Sequence, residues 1–240
     1  MYLIIDIGNT RVKTALYREE NLFEIFAFKK EEFHHKIEKI AKKYTIVKTI
    51  IASVGKLTEE DRQFLTHNFD YIELDSSTPV PFINNYDTPD TLGVDRIALV
   101  AAAVHLFPKT NLLVIDAGTC ITFDFVTANN EYLGGAISPG IQTRYNSLSD
   151  YTANLPRLSK EHPSFFIGAN TNDSIHSGVV NGVCKEIDGV IEQYRASYKK
   201  LTIVLTGGDA DFLSSQLKSS IFVRPFFLIE GLYSILKFNL

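Results

Sequence analysis

A short acidic turn occurs twice in the chain, and this repeat constrains the fold more than any other feature of the sequence. The first copy is residues 5–10 (IDIGNT) and the second is residues 115–119 (IDAGT). Each copy lies at a strand–turn–strand junction, and each is followed by a third segment with strand character. The same motif at the same place in the same strand order indicates an internal duplication of two α/β halves.

Segments typical of strands and helices alternate along the first half. The apolar run at 2–7 predicts a buried strand, and the spacing of apolar residues predicts helices over 31–43 and 92–107. Between them, residues 75–91 carry three prolines and many turn-forming residues, which predicts a long loop. A loop of this length within a compact domain is usually functional or mobile.

The clearest helical period lies in the second half. Apolar residues recur every three or four positions over 175–194, and Thr171 or Asn172 is the predicted N-cap. Strands that alternate with helices favour an α/β fold in which sheets are covered by helices. We therefore predict two domains, residues 1–107 and 108–240, each a mixed sheet with helices.

Composition excludes several classes of protein. The 240 residues include 24 Lys and Arg against 28 Asp and Glu, and a net charge of -4 argues against a nucleic-acid-binding surface. The longest apolar run, Ile97–Val104, is far shorter than the ~20 residues that span a bilayer. The two cysteines, Cys120 and Cys184, are too few for a disulfide framework and are expected to be small core residues. We expect a soluble cytosolic (cytoplasmic) protein with no nucleic-acid or membrane partner.

The repeated turns have the chemistry of a metal–nucleotide site. Because glycine lacks a Cβ, backbone N–H groups there can approach phosphate oxygens closely. The preceding carboxylate offers hard oxygen ligands to a hydrated cation, and Asn9, Thr10 and Thr119 add donors. Lys13 either faces the same phosphates or points to solvent. Such a turn can also be purely structural, but two copies that face each other across a cleft would hold a triphosphate.

A second informative stretch, residues 86–96, leads into the first turn of the helix predicted at 92–107. Asp95 and Arg96 fall in its first turn, where Asp95 complements the helix dipole and Arg96 is a surface charge on the simplest interpretation. Beside a phosphate site, Asp95 would instead accept the proton of an attacking hydroxyl, and Arg96 would bind a carboxylate in a bidentate pair.

Two glycine-rich turns leave alternatives open. Residues 134–140 (GGAISPG) either approach the cleft closely or form a tight packing corner. Residues 206–209 (TGGD) follow a predicted strand and open a helix, where the ribose or adenine of a nucleotide usually lies. A plain strand-to-helix turn is the alternative there.

Five motifs, taken in order, resemble those of type III pantothenate kinases. They are residues 6–10 (DIGNT), 86–96 (YDTPDTLGVDR), 116–119 (DAGT), 134–140 (GGAISPG) and 170–178 (NTNDSIHSG). This family belongs to the actin-like and sugar-kinase ATPase superfamily, so the resemblance implies two duplicated ribonuclease H-like halves around a central nucleotide cleft. It also implies ATP-dependent phosphorylation of pantothenate to 4′-phosphopantothenate, the first step of coenzyme A biosynthesis.

The resemblance further implies roles for individual positions. Asp95 would be the catalytic general base, Asp116 would hold a monovalent cation (K⁺ or NH₄⁺), and Asp6 would contribute to a Mg²⁺ site. Family members are similar in forming homodimers. The implied ATP-binding residues are Asp6, Ile7, Gly8, Asn9, Thr10, Arg11, Val12, Lys13 and Thr119, and the implied pantothenate-binding residues are Tyr86, Gly93, Val94, Asp95, Arg96 and Thr171.

Two other functions share parts of this pattern. A sugar-kinase or acetate-kinase type of enzyme would carry both acidic turns but need not carry the 86–96 segment. A non-catalytic transcription accessory protein could keep the fold without the activity. The presence of Asp6, Asp95 and Asp116 together, and the negative net charge, argue against that second alternative.

Overall fold

The computed structural model describes residues 1–55 and 57–240, which form an α/β fold. The strands are β1 (Tyr2–Ile7), β2 (Val12–Arg18), β3 (Asn21–Phe28), β4 (Lys48–Ser53), β5 (Tyr71–Glu73), β6 (Ile83–Asn84), β7 (Asn111–Ala117), β8 (Cys120–Val126), β9 (Glu131–Pro139), β10 (Leu201–Thr206) and β11 (Phe222–Val223). The helices are α1 (Phe33–Lys43), α2 (Glu59–Asn68), α3 (Val94–Leu106), α4 (Ile141–Asp150), α5 (Thr171–His176), α6 (Gly182–Ser197), α7 (Ala210–Ser214) and α8 (Phe227–Phe238).

The chain forms two compact units. Unit 1 comprises Met1–Pro108, Asn130–Tyr132 and Phe226–Leu240, and unit 2 comprises Lys109–Asn129 and Leu133–Pro225. Each unit contains a mixed sheet with helices, as predicted.

The sheet of unit 1 has the strand order β3-β2-β1-β4-β5. Strand β1 is antiparallel to β2 and parallel to β4, so the acidic turn at residues 6–10 joins two neighbouring strands. Alternate residues of β1 such as Leu3 and Ile5 pack with Ile37 of α1 on one face, because side chains of a strand alternate between its two faces. Helix α8 packs on β1 and β4 and also on α3.

The sheet of unit 2 repeats the start of this arrangement. Its strand order is β11-β10-β7-β8-β9, with β7 antiparallel to β8 and parallel to β10. Leu113 and Ile115 of β7 are buried in a core shared with Val183 and Ile187 of α6. The first residues of β9, Glu131–Tyr132, pair with β6 and belong to unit 1.

The position of α8 differs from the linear division predicted from the sequence. Residues 226–240 follow the second acidic turn in the chain, yet they belong to unit 1. The reason is close helix packing: a Cβ added at Gly231 of α8 would lie 1.8 Å from the backbone oxygen of Ala98 in α3. The assignment of 1–107 and 108–240 as ribonuclease H-like halves stays a prediction.

The 75–91 segment is mostly loop, as predicted, with the short strand β6 and a 3-10 turn at Pro89–Thr91. The predicted N-cap of the helix expected over 175–194, Thr171 or Asn172, was wrong by one or two residues: the helix begins at Thr171 with Asn170 as its N-cap, because the Asn170 side chain accepts a hydrogen bond from the Asp173 amide at 3.0 Å. It is also interrupted by a π-helical turn at Ser177–Asn181. In the described part of the chain, no helix combines the length and apolar character needed to cross a membrane.

Candidate active site

The first acidic turn presents its backbone at the end of β1. Asp6 pairs in register with Lys13 of β2, and the turn closes with a hydrogen bond of 3.1 Å from the Gly8 amide to the Arg11 carbonyl. Within the ATP-binding set expected from the sequence, Asn9, Thr10 and Arg11 are exposed, Gly8 and Lys13 are half-buried, and Asp6, Ile7 and Val12 are buried. The turn is therefore accessible, while the carboxylate beside it is largely buried.

Asp6 lies in an unfavourable environment for a negative charge. Its side chain is only 8% exposed. Burial raises the pKa of Asp6 to about 6, the positive charge of Lys13 opposes this rise, and the negative charge of Asp95 adds to it. Two carboxylates that repel each other in a partly dry site favour binding of a cation or a cation-bound phosphate.

Helix α3 places Asp95 in its first turn. Gly93 is the N-cap, and a Cβ added there would lie 2.4 Å from Asp95 Oδ1, so the carboxylate lies over the glycine backbone. Asp95 Oδ1 accepts a hydrogen bond of 2.8 Å from the Arg96 amide. Asp95 and Val94 are half-buried and Gly93 is exposed, so the carboxylate is both a helix-terminal charge and reachable from solvent.

Arg96 is buried, which makes its interpretation as a surface charge wrong. The residue is 5% exposed, and its guanidinium carbon lies 5.6 Å from the ring centroid of Tyr86 and 6.0 Å from that of Tyr132. Such distances are typical of cation–π contacts. Four of the residues expected to bind pantothenate, Tyr86 and Gly93 to Asp95, thus lie in the same part of unit 1 as the buried guanidinium.

The second acidic turn lies in unit 2 and packs against the 134–140 glycine motif. The Gly140 amide donates to the Thr119 carbonyl at 3.0 Å, and the Thr143 hydroxyl donates to the same carbonyl at 2.7 Å. A Cβ added at Gly140 would lie 2.0 Å from the Gly118 oxygen, and one added at Gly135 would lie 1.5 Å from the Phe123 oxygen. Within unit 2 these glycines form a tight packing corner.

The 206–209 turn lies beside the same acidic turn. Gly207 has φ +95, and a Cβ there would lie 2.3 Å from both the Ala117 oxygen and Asp116 Oδ1. The Asp209 amide donates to the Ala117 carbonyl at 2.9 Å, and the Asp209 carboxylate forms an ion pair with Lys160. A residue with a side chain would be strained and obstructed at position 207, so glycine is required for this contact.

Thr171 lies in unit 2, whereas the other residues expected to bind pantothenate lie in unit 1. It is an exposed residue at the start of α5 and lines a cavity of about 670 Å³ together with Arg144, Ile175 and Val179. The two acidic turns are also divided between the units. Their convergence on one nucleotide stays a prediction.

Comparison with known proteins identifies the family. A family model described as type III pantothenate kinase matches residues 2–193. The chain belongs to the type III pantothenate kinase family. A type III pantothenate kinase of Flavobacterium johnsoniae is 45% identical over 246 residues, covering 100% of this chain and 99% of the relative. One of Christiangramia forsetii is 46% identical over 240 residues, with 100% and 99% coverage.

Solved structures share the fold at lower identity. A Campylobacter jejuni protein described as a candidate Baf family transcriptional activator aligns with a TM-score of 0.63 and 24% identity, covering 99% of this chain and 98% of that one. The activator of 2-hydroxyisocaproyl-CoA dehydratase from Clostridium difficile, with bound ADPNP, aligns with a TM-score of 0.58 and 12% identity, covering 99% and 95%. A glucokinase from an Antarctic psychrotroph aligns with a TM-score of 0.54 and 12% identity, covering 98% of both chains.

The second acidic turn carries oxygen atoms of the kind that hard cations prefer as ligands. Asp116 Oδ1 and the Ala117 carbonyl oxygen both lie close to Gly207, at 2.3 Å from the position of an added Cβ. The described residues contain no group of three or more His, Cys, Asp or Glu side chains arranged around a metal.

Some features of the site were not predicted from the sequence. Tyr132 and Lys160 carry no local motif, and they become visible only through the pairing of β6 with β9 and through the ion pair to Asp209. Cys184 is buried as expected, but Cys120 is exposed at the start of β8, so its assignment to the core was wrong.

Proposed function

We propose that this protein transfers the γ-phosphoryl group of ATP to the primary hydroxyl of pantothenate. The products are ADP and 4′-phosphopantothenate, in the first step of coenzyme A biosynthesis. The observation that carries the proposal is the start of α3, where the reachable carboxylate of Asp95 accepts a hydrogen bond from the backbone amide of the buried residue Arg96 and acts electrostatically on Asp6. The names of the full-length relatives at 45–46% identity support the same reaction.

In the proposed reaction, Asp95 orients the attacking hydroxyl and accepts its proton. Phosphoryl transfer passes through a loose transition state, so positioning and electrostatics supply most of the catalysis. An aspartate carboxylate is a weak base toward a ground-state alcohol. Proton transfer therefore occurs late, when the new bond between the oxygen and Pγ makes the hydroxyl acidic and the bond from Pγ to the ADP oxygen has largely broken.

Arg96 supplies the group that recognises the acid end of pantothenate. A guanidinium binds a carboxylate through two parallel hydrogen bonds, and burial strengthens that pair. Tyr86 and the segment Gly93 to Arg96 form this part of the substrate site, and Thr171 donates to the substrate from the start of α5. This division places the carboxylate-binding group and the proton acceptor on adjacent residues of one helix.

ATP binds at the two acidic turns in this proposal. Residues 6–13 and Thr119 contact the nucleotide through backbone amides and side-chain donors. Asp6 contributes to the Mg²⁺ site and Asp116 to that of a monovalent cation, K⁺ or NH₄⁺, and both cations neutralise phosphate charge when bound. The ADPNP bound by the Clostridium difficile neighbour supports nucleotide binding by this fold. We further propose a cytoplasmic homodimer that binds no nucleic acid.

A coupled assay of ADP release tests this function. Purified protein with ATP, MgCl₂ and KCl should release ADP when pantothenate is added, and not with glucose, N-acetylmannosamine or acetate. Replacing KCl with NaCl should lower the rate, and replacing it with NH₄Cl should not. ADP release with a sugar or acetate but not with pantothenate would assign the chain to the alternative kinase activity. A salt-sensitive mobility shift of DNA without any kinase activity would favour the transcription accessory role.

A further inference from the structure

The aromatic residue Tyr132 belongs to a cluster of rings next to Arg96. Tyr132 is completely buried, at 0% exposure, although it lies at the start of β9, most of which belongs to unit 2. Its ring stacks on that of Tyr86 with a centroid distance of 6.1 Å and an interplanar angle of 23°. Phe82 contacts it edge-on at 6.2 Å. All four residues lie in unit 1, so the cluster is part of one compact body.

The three distances within this cluster define its geometry. The Arg96 guanidinium carbon lies 5.6 Å from the Tyr86 ring and 6.0 Å from the Tyr132 ring, and the two rings lie 6.1 Å apart. The guanidinium carbon and the two ring centroids therefore form a nearly equilateral triangle. Both rings therefore lie on one side of the guanidinium, at distances typical of cation–π contacts, and do not enclose it between them.

The backbone of Tyr132 also holds the segment that carries Tyr86. The Asn85 amide donates to the Tyr132 carbonyl at 3.0 Å, and the Ile83 amide donates to the Asn130 carbonyl at 2.9 Å. This short ladder between β6 and β9 sets the position of Tyr86. Because the ladder uses only backbone atoms of Tyr132, a change of its side chain can test the ring separately from the ladder.

We propose that Tyr132 is a positioning residue for substrate recognition, whose ring fixes the Arg96 guanidinium in the orientation that receives the substrate carboxylate. This inference rests on the proposed function. A charged group that is 5% exposed needs compensation for lost hydration, and the ring faces contribute to it through cation–π contacts, which do not use the N–H donors of the guanidinium. Loss of the ring should therefore weaken carboxylate binding more than it affects the phosphoryl-transfer step.

The first test compares Tyr132→Leu with Phe82→Leu in steady-state kinetics. Desolvated cation–π contacts support an increase of about 10-fold in the KM for pantothenate in Tyr132→Leu, with kcat and the KM for ATP within about 3-fold of wild type. Phe82→Leu removes a ring that packs on the same cluster and should leave the KM for pantothenate within about 2-fold. Tyr132→Phe keeps the ring and should restore the wild-type KM.

Selectivity for the carboxylate gives a readout that general loosening of the fold would not change. Pantothenol carries an alcohol in place of the carboxylate, so its affinity as a substrate or competitor should be the same for Tyr132→Leu and wild type. In an Arg96→Ala background, Tyr132→Leu should cause no further increase in the KM for pantothenate, because the ring acts through the guanidinium. Equal losses for pantothenate and pantothenol, or additive effects of the two substitutions, would overturn the inference.

A variant with an unchanged ring shape covers the case in which Tyr132→Leu does not fold. Pentafluorophenylalanine at position 132 has nearly the shape of phenylalanine but a reversed ring quadrupole, so it should raise the KM for pantothenate relative to Tyr132→Phe. An equal KM in these two proteins would overturn the positioning role while the kinase activity itself persists. If wild-type protein releases no ADP with pantothenate, the proposed function fails and this inference fails with it.

Discussion

At the scale of single residues, Asp95 has the two properties that the proposed reaction needs. It is half-buried and reachable, and it lies at the start of a helix where a negative charge is favourable. One of its oxygens accepts a hydrogen bond from the Arg96 amide at 2.8 Å, which fixes the carboxylate relative to the backbone of the first turn of α3. The substrate hydroxyl would approach the carboxylate in this fixed orientation.

Asp95→Asn should lower kcat by roughly 10²-fold or more, within the range of a positioned base. The asparagine oxygen can still accept from the Arg96 amide, so α3 and pantothenate binding should survive. Steady-state kinetics and calorimetric titration with pantothenate measure the two effects. Asp87→Asn is the matched control, because Asp87 is an exposed carboxylate in the same segment. Wild-type turnover by Asp95→Asn would show that Asp95 does not accept the proton.

The buried carboxylate of Asp6 should make stability depend on pH. Its pKa in the folded protein is raised from the usual value of 3.8 to about 6 by burial and, to a lesser extent, by the charge of Asp95, while the charge of Lys13 opposes the rise. Between these values the folded state binds more protons than the unfolded state, so stability falls as pH rises and levels off above pH 6. A shift of this size corresponds to about 3 kcal/mol.

Asp6→Asn should remove this loss of stability. The difference in unfolding free energy between the variant and wild type should increase from pH 4 to pH 7 by up to about 3 kcal/mol in favour of the variant. Urea denaturation in EDTA, without nucleotide, measures this difference in unfolding free energy from pH 4 to pH 7. Asp87→Asn, which neutralises an exposed carboxylate, should show no such increase. A pH-independent difference for Asp6→Asn would contradict the assignment.

At the scale of elements, the contact between α3 and α8 supports the helix that carries Asp95 and Arg96. Gly231 allows this contact, since a Cβ there would lie 1.8 Å from the Ala98 oxygen and 2.6 Å from its carbonyl carbon. These are backbone atoms of a packed helix, so they cannot move aside as the end of a side chain could. An added methyl group must push the two helices apart.

Gly231→Ala should therefore lower the free energy of unfolding by about 1–3 kcal/mol, the usual cost of overpacking. Gly189→Ala is the matched control, because Gly189 lies in α6 and no atom lies within 4 Å of an added Cβ. That substitution should raise stability by up to about 1 kcal/mol through helix propensity. Thermal and urea unfolding measure the change in stability of Gly231→Ala and of Gly189→Ala. A stabilised Gly231→Ala would show that α3 and α8 are less closely packed.

The elements also show why only part of the structure could be predicted. Strand β1 and the helix start at Asp95 depend on local apolar patterns and turn residues, and the sequence predicted both within two residues. The place of α8 and the role of Tyr132 depend on contacts between residues far apart in the chain, such as Gly231 with Ala98. Periodicity carries no information about such partners. The burial of Arg96 was missed for the same reason.

At the scale of the whole molecule, the proposed homodimer needs a surface that is unfavourable to expose. Phe166 and Ile167 are adjacent in the chain and are 76% and 83% exposed in unit 2. Exposed apolar neighbours of this kind often mark an interface. They precede α5, whose first residue, Thr171, is expected to bind substrate. A subunit contact here would therefore tie assembly to the pantothenate site.

Light scattering after size-exclusion chromatography should give a mass of about 54 kDa, twice the 27.0 kDa of one chain. Phe166→Ser with Ile167→Ser should shift the equilibrium toward monomer and raise the KM for pantothenate. The control pair Leu22→Ser and Phe23→Ser removes apolar residues that are 43% and 46% exposed in unit 1. This pair should change neither the monomer–dimer equilibrium nor the KM for pantothenate. A monomeric wild type with full activity would refute the dimer, and dissociation by the control pair would place the contact on β3.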